Sequence, residues 1–290
     1  MRNILLMGST GLLGVPLKEH LRDVGFHVVT LSRTGESDLK VDAANKTDLF
    51  AVLSGQSFDS VINLIGLTSV ELCEENPSLA HRINGLAVEN IVSWISSCSP
   101  LTHLVHISTD QVYDGIGPHK EPEITLVNTY AQSKHTGEIA SGRISSTVLR
   151  TNFVGKSRTS GRESLTDWLY VSLERGENIQ VLRDVLFSPV CISTLCSVLT
   201  HVLDMKPIGT FNLGSSGGMS KADFDFEFAR ALSLPEELMS PVFAHDAKFL
   251  RAKRPLDMRM DSSKLEKELG IKLPSLREEI RKVAQEYETK

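Results

Sequence analysis

Tyr130 and Lys134 stand four residues apart in the segment YAQSK. In a helix both side chains lie on one face, because positions i and i+4 are neighbours on the helix surface. A free phenol, with a pKa of about 10, donates its proton slowly at neutral pH, and a nearby ammonium lowers that pKa. The pair therefore predicts a general acid. Tyr and Lys also occur at this spacing by chance on solvated helices, so the surrounding elements must decide.

The N-terminal residues predict a strand, a glycine-rich turn and a helix in succession. The apolar run Asn3–Met7 is typical of a buried parallel strand, and GSTGLLG follows it, with glycines at Gly8, Gly11 and Gly14. Such glycines let backbone N–H groups approach a pyrophosphate, and the N-terminus of the next helix favours its negative charge. The spacing is GxxGxxG rather than the usual GxGxxG. Since any turn before a helix can use glycines, it is the flanking strand and helix that favour nucleotide binding.

The end of the second predicted strand, His27–Leu31, indicates which nicotinamide cofactor fits. Enzymes that select NAD usually place a carboxylate here, which bonds the ribose 2′-hydroxyl and repels a 2′-phosphate. Ser32 and Arg33 stand here instead, and a guanidinium pairs well with phosphate. We therefore predict NADPH over NADH, the alternative being a solvated arginine in a loop.

Strands and helices alternate along the first half of the chain. Lys40–Asp42, Asp59–Gly66 and Leu101–Ile107 each resemble a strand end or a buried strand. This alternation predicts an α/β fold with a doubly wound parallel (Rossmann) sheet and right-handed crossovers. Ligands bind such sheets beyond the carboxyl ends of the strands. That edge is expected to hold the glycine turn, Ser32, Arg33, Thr68, Thr109 and the helix of Tyr130.

The C-terminal part mixes short helices and loops and has no second glycine-rich phosphate motif. We interpret it as a smaller, mixed substrate lobe. Ser188–Ile192 resembles a strand, and it is expected to return to the main sheet with the helix that ends near Leu203. The predicted NADP-binding Rossmann domain is then 1–154 with about 186–206, and the predicted substrate lobe is about 155–185 and 207–290.

Composition narrows the class of partner. The net charge is −5, and the chain has no basic run and only 6% aromatic residues, which argues against nucleic acid or an anionic membrane as the partner. No apolar run reaches the roughly 18 residues of a membrane span, and the N-terminus leads into a strand rather than a signal peptide. We expect a cytoplasmic protein that acts on a small molecule. The oligomeric state is left open, with a homodimer as one option.

The cysteines and two histidines give no metal-binding pattern. Cys73, Cys98, Cys191 and Cys196 lack CxxC or Cys/His spacing, so we expect buried, reduced thiols. An odd separation on a strand sends His103 and His106 to opposite faces. We predict no metal site.

The motifs GSTGLLG, STDQVYDG and YAQSK, in this order, resemble those of the extended short-chain dehydrogenase/reductases. Within them the chain is most similar to the dTDP-4-dehydrorhamnose reductase family, over almost its whole length. Leu149–Phe153 is similar to the segment leaving the sixth strand, Asp184–Pro189 to a degenerate "DQxGSPT", and Arg254–Leu265 to "RPxNSxLDxSKL". The resemblance implies NADPH-dependent reduction of a 4-keto-6-deoxy nucleotide sugar in deoxysugar and surface polysaccharide synthesis.

The resemblance also implies roles for individual residues. Thr109 would hydrogen-bond the substrate carbonyl, Tyr130 would donate the proton, and Lys134 would bind the nicotinamide ribose and tune Tyr130. The candidate cofactor-binding residues are Gly8, Thr10, Gly11, Leu12, Leu13, Gly14, Ser32, Arg33, Asp42, Asn63, Gly66, Thr68 and Asn84, together with Tyr130 and Lys134. The candidate substrate-binding residues are Thr109, Asp110, Gln111, Tyr113, Asn152 and Arg254.

Two of these assignments compete with a plainer interpretation. Asp42 would accept a hydrogen bond from the adenine amino group, or it is simply a surface carboxylate. Arg254 would meet the diphosphate of the substrate, where a guanidinium fork suits phosphate oxygens, or it belongs to a solvated basic patch with Arg251 and Lys253.

Other functions remain to be separated from the reductase. Nucleotide-sugar 4,6-dehydratases resemble "TDE" after the strand, whereas this chain has Gln111, an amide that cannot transfer the proton. An epimerase would retain NAD, which Ser32 and Arg33 fit poorly. A non-catalytic regulator like the methionine adenosyltransferase β subunit also keeps YxxxK, so the intact pair does not separate it from an enzyme.

Departures from the family pattern fall in the substrate half. Asp257 and Met258 replace the usual Asn and Ser, and Val185 replaces the Gln. The predicted cofactor is unaffected, but the sequence leaves the nucleotide and the sugar open.

Overall fold

The computed structural model describes residues 2–288. Met1, Thr289 and Lys290, which the predicted domains include, lie outside the described residues. The strands are β1 (Asn3–Met7), β2 (His27–Ser32), β3 (Leu39–Lys40), β4 (Ser60–Asn63), β5 (His103–Thr109), β6 (Ser146–Thr151), β7 (Phe153–Val154), β8 (Ile179–Leu182), β9 (Leu186–Phe187), β10 (Val190–Cys191), β11 (Gly209–Leu213), β12 (Met219–Ser220) and β13 (Met239–Val242). The helices are α1 (Gly14–Asp23), α2 (Lys46–Val52), α3 (Val70–Glu75), α4 (Pro77–His81), α5 (Ala87–Cys98), α6 (Thr129–Ser141), α7 (Leu165–Glu174), α8 (Ile192–Met205), α9 (Lys221–Ala231), α10 (Ser263–Leu269) and α11 (Leu276–Glu288).

A seven-stranded sheet organises the chain, in the order β11-β6-β5-β4-β1-β2-β3. The pairs from β3 through β1 to β5 are parallel, with Leu5 opposite both Val29 and Val61. The order 3-2-1-4-5-6 is that of a doubly wound dinucleotide-binding sheet. The predicted α/β Rossmann fold is confirmed.

The chain divides into two compact units. The first unit contains the residues up to Thr109, Asn128–Arg150 and Cys196–Phe211. The second unit contains Asp110–Val127, Thr151–Leu195 and the residues from Asn212 onward. The chain therefore passes from one unit to the other several times.

These bounds differ from the predicted domains in four segments, 110–127, 151–154, 186–195 and 207–211. Residues 110–127 and 151–154 belong to the second unit. Within that unit Tyr113 donates to Asn212 at 2.6 Å, and the His119 N–H donates to the Arg259 carbonyl at 2.7 Å. The strand in Ser188–Ile192 pairs with β7 and not with the main sheet. The edge strand beside β6 in the main sheet is β11 instead. The sequence had predicted that this segment belongs to the substrate lobe.

The core of the first unit lies where α5 covers the sheet. Leu5, Val61 and Leu104 belong to three neighbouring strands and are fully buried, and Ile91 and Trp94 of α5 pack in the same cluster. Strands buried on both faces need apolar side chains at almost every position, which explains their continuous apolar runs.

The second unit carries three two-stranded sheets and an aromatic core. β7 pairs with β10 and β8 with β13 in parallel, while β9 and β12 are antiparallel. Phe187, Phe224, Phe228 and Tyr287 follow one another in ring contacts with centroids 5.3–6.4 Å apart. This mixed architecture agrees with the predicted mixed C-terminal lobe.

The thiols are free, and three of the four are buried. Cys73, Cys191 and Cys196 are buried as expected, but Cys98 is exposed because it stands at the C-terminal end of α5. Within residues 2–288 no helix is long and apolar enough to span a bilayer.

Asp225 is a carboxylate in the apolar core of the second unit. It is 3% exposed, and its Oδ1 has no hydrogen-bond partner among the described residues. Burial raises its pKa to about 7, although Lys221, one turn earlier on α9, acts in the opposite direction. A group with a raised folded-state pKa favours folding most when it is protonated.

We predict that Asp225→Asn stabilises the protein in a pH-dependent way. Unfolded Asp releases its proton near pH 4, whereas folded Asp225 keeps it until about pH 7, so the stability of the wild type falls as the pH rises through this window. Neutral Asn removes that loss. The gain in unfolding free energy by urea titration should grow by about 2–3 kcal/mol between about pH 5 and about pH 8. Exposed Glu237→Gln is the control, and a gain that is equal at both pH values would contradict the prediction.

Candidate active site

The helix α6 presents Tyr130 and Lys134 on one face. It begins where Asn128 caps it, its side chain accepting from Ala131 N–H at 2.8 Å, and Thr129 N–H donates to Glu74 at 2.6 Å. Tyr130 is 7% exposed and Lys134 is 4% exposed. The helix that the sequence predicts here is present, and it directs both side chains toward the protein interior.

Lys134 is bound to the strand that ends in Thr109. Its Nζ donates to the carbonyl oxygen of Ile107 at 2.6 Å, two residues before Thr109, which is itself buried. Burial lowers the pKa of Lys134 to about 8, and the charge of Glu138 opposes that fall. At neutral pH the side chain is therefore still mainly an ammonium.

Asn84 holds the loop after β4 against α6. It lies in a π-helical turn, Arg82–Leu86, that connects α4 and α5. Its amide oxygen accepts from Leu67 N–H at 2.7 Å, and its amide nitrogen donates to the Leu67 carbonyl at 3.1 Å and to Ser133 at 2.9 Å. Single π turns often occur at functional sites. Here the turn places the amide of Asn84 within hydrogen-bonding distance of both the loop and α6.

The loop that Asn84 holds brings three predicted residues together. A Cβ on Gly66 would lie 3.4 Å from Asn84 Oδ1, 3.8 Å from Lys134 Nζ and 3.9 Å from the methyl group of Thr68. Gly66, Thr68, Asn84 and Lys134 are thus neighbours, as the sequence predicts. A side chain at position 66 would occupy the space beside the ammonium.

Both amide atoms of Asn63 form hydrogen bonds within the protein. Its Oδ1 accepts from Ile65 N–H at 3.1 Å, and its Nδ2 donates to His106 Nδ1 at 3.1 Å. Burial, then the charge of Lys134, lower the pKa of His106 to about 3, so the imidazole is neutral and carries its proton on Nε2. Asn63 shapes the turn at the sheet edge, and its amide is not directed at a ligand.

The glycine turn requires glycine at two positions, at Gly8 because of its backbone conformation and at Gly14 because of close packing. Gly8 has φ +83°, a conformation that glycine adopts without strain, and its N–H donates to the Leu31 carbonyl at 2.8 Å. A Cβ on Gly14 would lie 2.4 Å from the carbonyl oxygen of Gly8. The first helical turn of α1 has no acidic residue, and Leu13 at its N-cap makes no side-chain hydrogen bond to it. The turn and helix end therefore offer backbone N–H groups and positive dipole without a competing carboxylate.

The end of β2 leaves Arg33 available. Ser32 is buried, and its hydroxyl donates to the Thr34 carbonyl and contacts Ser37, each at 2.8 Å. Thr10 of the glycine turn contacts the same Thr34 carbonyl at 3.4 Å. Arg33 is exposed, and none of residues 2–288 pairs with it. Ser32 therefore orders the loop, and Arg33 is the group that can meet a ligand.

Two carboxylates near this edge are already engaged. Asp42 accepts from Arg82 at 2.6 Å and from Ala44 N–H at 3.0 Å. Asp38, which the sequence analysis did not single out, accepts from the hydroxyl and the N–H of Thr30 at 2.7 and 2.8 Å. These hydrogen bonds lower the pKa of Asp38. Neither carboxylate replaces the acid that NAD-selective enzymes place at the end of the second strand.

The second unit groups several of the predicted substrate residues. Asp110 is 2% exposed and accepts from the amide of Asn152 at 2.8 Å. Arg254 is partly buried, and its Nη1 donates to the Ala252 carbonyl at 3.4 Å. Lys221, which sequence reasoning missed, interacts electrostatically with both Asp110 and Arg254. The sequence gives only a weak indication of a role for Lys221, since it is simply a lysine that follows the N-cap residue Ser220.

Two other predicted substrate residues, Tyr113 and Gln111, have different surroundings. Tyr113 is fully buried, donates to Asn212 at 2.6 Å and stacks on His119 with ring centroids 5.1 Å apart. That environment is typical of a core residue rather than a ligand contact. Gln111 is partly buried in a 3-10 turn, Asp110–Val112.

Glu138 is the missed residue closest to the predicted chemistry. It follows Lys134 by four residues and is 5% exposed. The sequence does indicate it, because Glu138 continues the four-residue spacing of Tyr130 and Lys134 and therefore lies on the same face of α6. Within residues 2–288 no group of His, Cys, Asp and Glu side chains is arranged to hold a metal ion.

The family model described as "RmlD substrate binding domain" matches residues 1–289. The chain belongs to this family. Its resemblance to the dTDP-4-dehydrorhamnose reductase family is thereby confirmed at the level of the family.

Curated relatives cover nearly the whole chain. The probable low-salt glycan biosynthesis reductase Agl14 of Haloferax volcanii is 27% identical, with 94% of each chain covered. The dTDP-4-dehydrorhamnose reductase of Escherichia coli is 26% identical, covering 99% of this chain and 98% of its own. The methionine adenosyltransferase 2 subunit beta of Pongo abelii is 24% identical over 93% of this chain and 83% of its own. RmlD-type sequences thus include proteins named for different functions.

A solved structure shares the fold. A dTDP-4-dehydrorhamnose reductase from Bacillus anthracis, in complex with NADP, superposes with a TM-score of 0.87. It is 21% identical and covers 98% of this chain and 99% of its own. At this identity the likeness shows the common RmlD-type architecture.

We predict that Gly14→Ala destabilises the protein, although Ala normally favours a helix by about 1 kcal/mol over Gly. The added methyl group would lie 2.4 Å from the Gly8 carbonyl oxygen, and such overpacking typically costs about 1–3 kcal/mol. The clash should therefore prevail, giving a lower urea midpoint. Gly142→Ala is the matched control, because its Cβ would meet nothing closer than 3.6 Å. Equal midpoints for both variants would refute the close approach.

Proposed function

We propose that this protein is an NADPH-dependent reductase that converts a 4-keto-6-deoxy nucleotide sugar to its hydroxy product in deoxysugar or polysaccharide synthesis. The observation that carries the proposal is the buried ammonium of Lys134, held on the same helix face as Tyr130 and bound to the strand that ends in Thr109. Membership of the RmlD family and the relatives named as reductases support it.

The first unit fits a dinucleotide that carries a 2′-phosphate. The glycine turn leaves no room for a side chain at Gly14, and the N-terminus of α1 has no acidic competitor, so both suit a pyrophosphate. Arg33 is available for the 2′-phosphate at the end of β2. Of the other candidates, Thr10, Gly66 and Thr68 would border the cofactor, while Asn63 and Asn84 would support the residues around it. The NADP in the Bacillus anthracis reductase is consistent with this cofactor.

The residues of this chain would perform the proton chemistry. Bound NADPH supplies the hydride to the keto carbon. Tyr130 then donates its proton to the oxygen of that carbonyl, and the Thr109 hydroxyl hydrogen-bonds the same oxygen. The ammonium of Lys134 lowers the phenol pKa, as a nearby cation does. General-acid catalysis of this kind contributes about 10²–10⁴-fold, or about 3–5 kcal/mol.

The second unit would bind the nucleotide sugar. Arg254 and Lys221 supply positive charge for the diphosphate, where charge-assisted hydrogen bonds are strong. Asp110 and Asn152, joined at 2.8 Å, offer donors and acceptors for sugar hydroxyl groups. Gln111 argues against dehydration, because an amide does not exchange a proton in the role of a carboxylic acid.

A second candidate is a non-catalytic regulatory subunit. The relative named methionine adenosyltransferase 2 subunit beta favours it, since that protein matches 93% of this chain. Such a protein would bind the cofactor and a larger enzyme without reducing a sugar.

The deciding experiment follows NADPH oxidation against a panel of dTDP-, GDP- and UDP-4-keto-6-deoxysugars. We expect one sugar to be reduced, and Tyr130→Phe to lower kcat by about 10²–10⁴-fold while NADPH affinity is retained. An unchanged rate would remove Tyr130 from the mechanism. If NADPH binds but no sugar is reduced, and a larger enzyme co-purifies, the regulatory function replaces the reductase.

Arg33 provides a separate test of cofactor choice. We predict that Arg33→Ala weakens NADPH binding by about tenfold or more, the value of a charge-assisted contact, and leaves NADH binding nearly unchanged. Calorimetric titration with both cofactors measures this. Arg143→Ala, in the exposed turn after α6, is the control. Equal losses for NADPH and NADH in the Arg33 variant would show that the side chain does not read the 2′-phosphate.

A further inference from the structure

Behind Lys134 lies a buried ionic network centred on Glu138. Its Oε1 accepts from the Ser108 hydroxyl at 2.5 Å and from Arg150 Nε at 3.0 Å. Its Oε2 accepts from Arg150 Nη2 at 2.7 Å and from His135 Nδ1 at 3.0 Å. Both oxygens are therefore fixed by donors from β5, β6 and α6, and the carboxylate cannot turn away from its place.

The same donors keep Glu138 ionised. Burial alone would raise its pKa, but the hydrogen bonds from His135, Arg150 and Ser108 and the charge of Arg150 together lower it to about 2. Glu138 is thus an anion at any pH at which the protein would work. Its bidentate contact with Arg150, which is 3% exposed, is a strong pairing geometry.

Glu138 lies one helical turn after Lys134, on the same face of α6 as Lys134 and Tyr130. Both charges are buried, so their attraction is weakly screened. Besides Tyr130, which lies on the same helix face, Glu138 on α6 and His106 on β5 are titratable groups that interact with the ammonium. His106 is neutral and Arg150 is paired with Glu138. The carboxylate of Glu138 is therefore an anion that opposes the effect of burial on Lys134.

We propose that Glu138 is a positioning residue that keeps Lys134 in its ammonium form, and so sets the upper pH limit at which Tyr130 has a cation beside it. The role of Tyr130 rests on the proposed function, but the charge state of Lys134 does not. Glu138 does not touch the reacting atoms. It acts through Lys134, and Arg150 acts through Glu138.

The test measures the ammonium directly, in the protein without cofactor or substrate. Lysine labelled with ¹³C at Cε is titrated by NMR, and the Lys134 signal is assigned by its loss in Lys134→Arg. The wild-type midpoint is expected at about 8. In Glu138→Gln the midpoint should fall by about one pH unit, because the variant removes the opposite charge that counteracts burial.

Glu138→Gln leaves Arg150 buried without its partner and can fail to fold for that reason. The double variant Glu138→Gln/Arg150→Met removes both charges, and its Lys134 midpoint should also fall. Glu138→Asp keeps the charge and should bring the midpoint back toward the wild type. His135→Ala is the matched control, because it removes one hydrogen bond to Glu138 without removing the charge, and its midpoint should stay near the wild type.

A Lys134 midpoint that is the same in the wild type and the Gln variants overturns the inference. Where a nucleotide sugar is reduced, the basic limb of the kcat–pH profile should move down with the NMR midpoint. A fall in the midpoint without reduction of any sugar would support the role of Glu138 and contradict the reductase, so the two proposals fail separately. A basic limb that stays in place while the midpoint falls would overturn the link to the upper pH limit.

Discussion

The burial of one ammonium, that of Lys134, is the constraint on which the first unit depends. Taking a charge out of water costs several kcal/mol unless partners replace the solvent. The carbonyl of Ile107 accepts one hydrogen bond, and the carboxylate of Glu138 supplies the opposite charge. That carboxylate is itself buried and needs Arg150 and Ser108. A charge on one helix is thus compensated in steps that reach two strands of the sheet.

The same face of α6 is also held by close packing, because Gly137 follows Lys134 by three residues. A Cβ on Gly137 would lie 2.5 Å from the backbone oxygen of Asn84, so only glycine allows α6 to approach the π-helical turn this closely. From that turn the amide of Asn84 reaches Leu67 and Ser133. The helix is therefore fixed by packing as well as by charge, which is what preorganises a site before any ligand is bound.

The sequence predicts the features that have a strong local pattern, namely the YAQSK helix, the glycine turn and the alternation of strands and helices. It does not predict which strand closes the sheet, since Ser188–Ile192 and Gly209–Leu213 are both short apolar segments and their pairing is non-local. It also gives no indication that the amide of Asn63 is hydrogen-bonded to His106 of the neighbouring strand. Such partners are decided by tertiary contacts, and residue type and spacing carry little information about them.

The repeated passage of the chain between the two units limits how such a protein can change in evolution. The crossings follow Thr109, Val127, Arg150, Leu195 and Phe211, so neither unit is encoded by one uninterrupted stretch of gene. Recombination cannot exchange the whole second unit as one segment, because a segment that contained all of it would carry parts of the first unit as well. Replacement of the whole second unit would therefore need several coordinated exchanges, whereas its separate segments can change one at a time while the intervening segments remain under selection for the first unit.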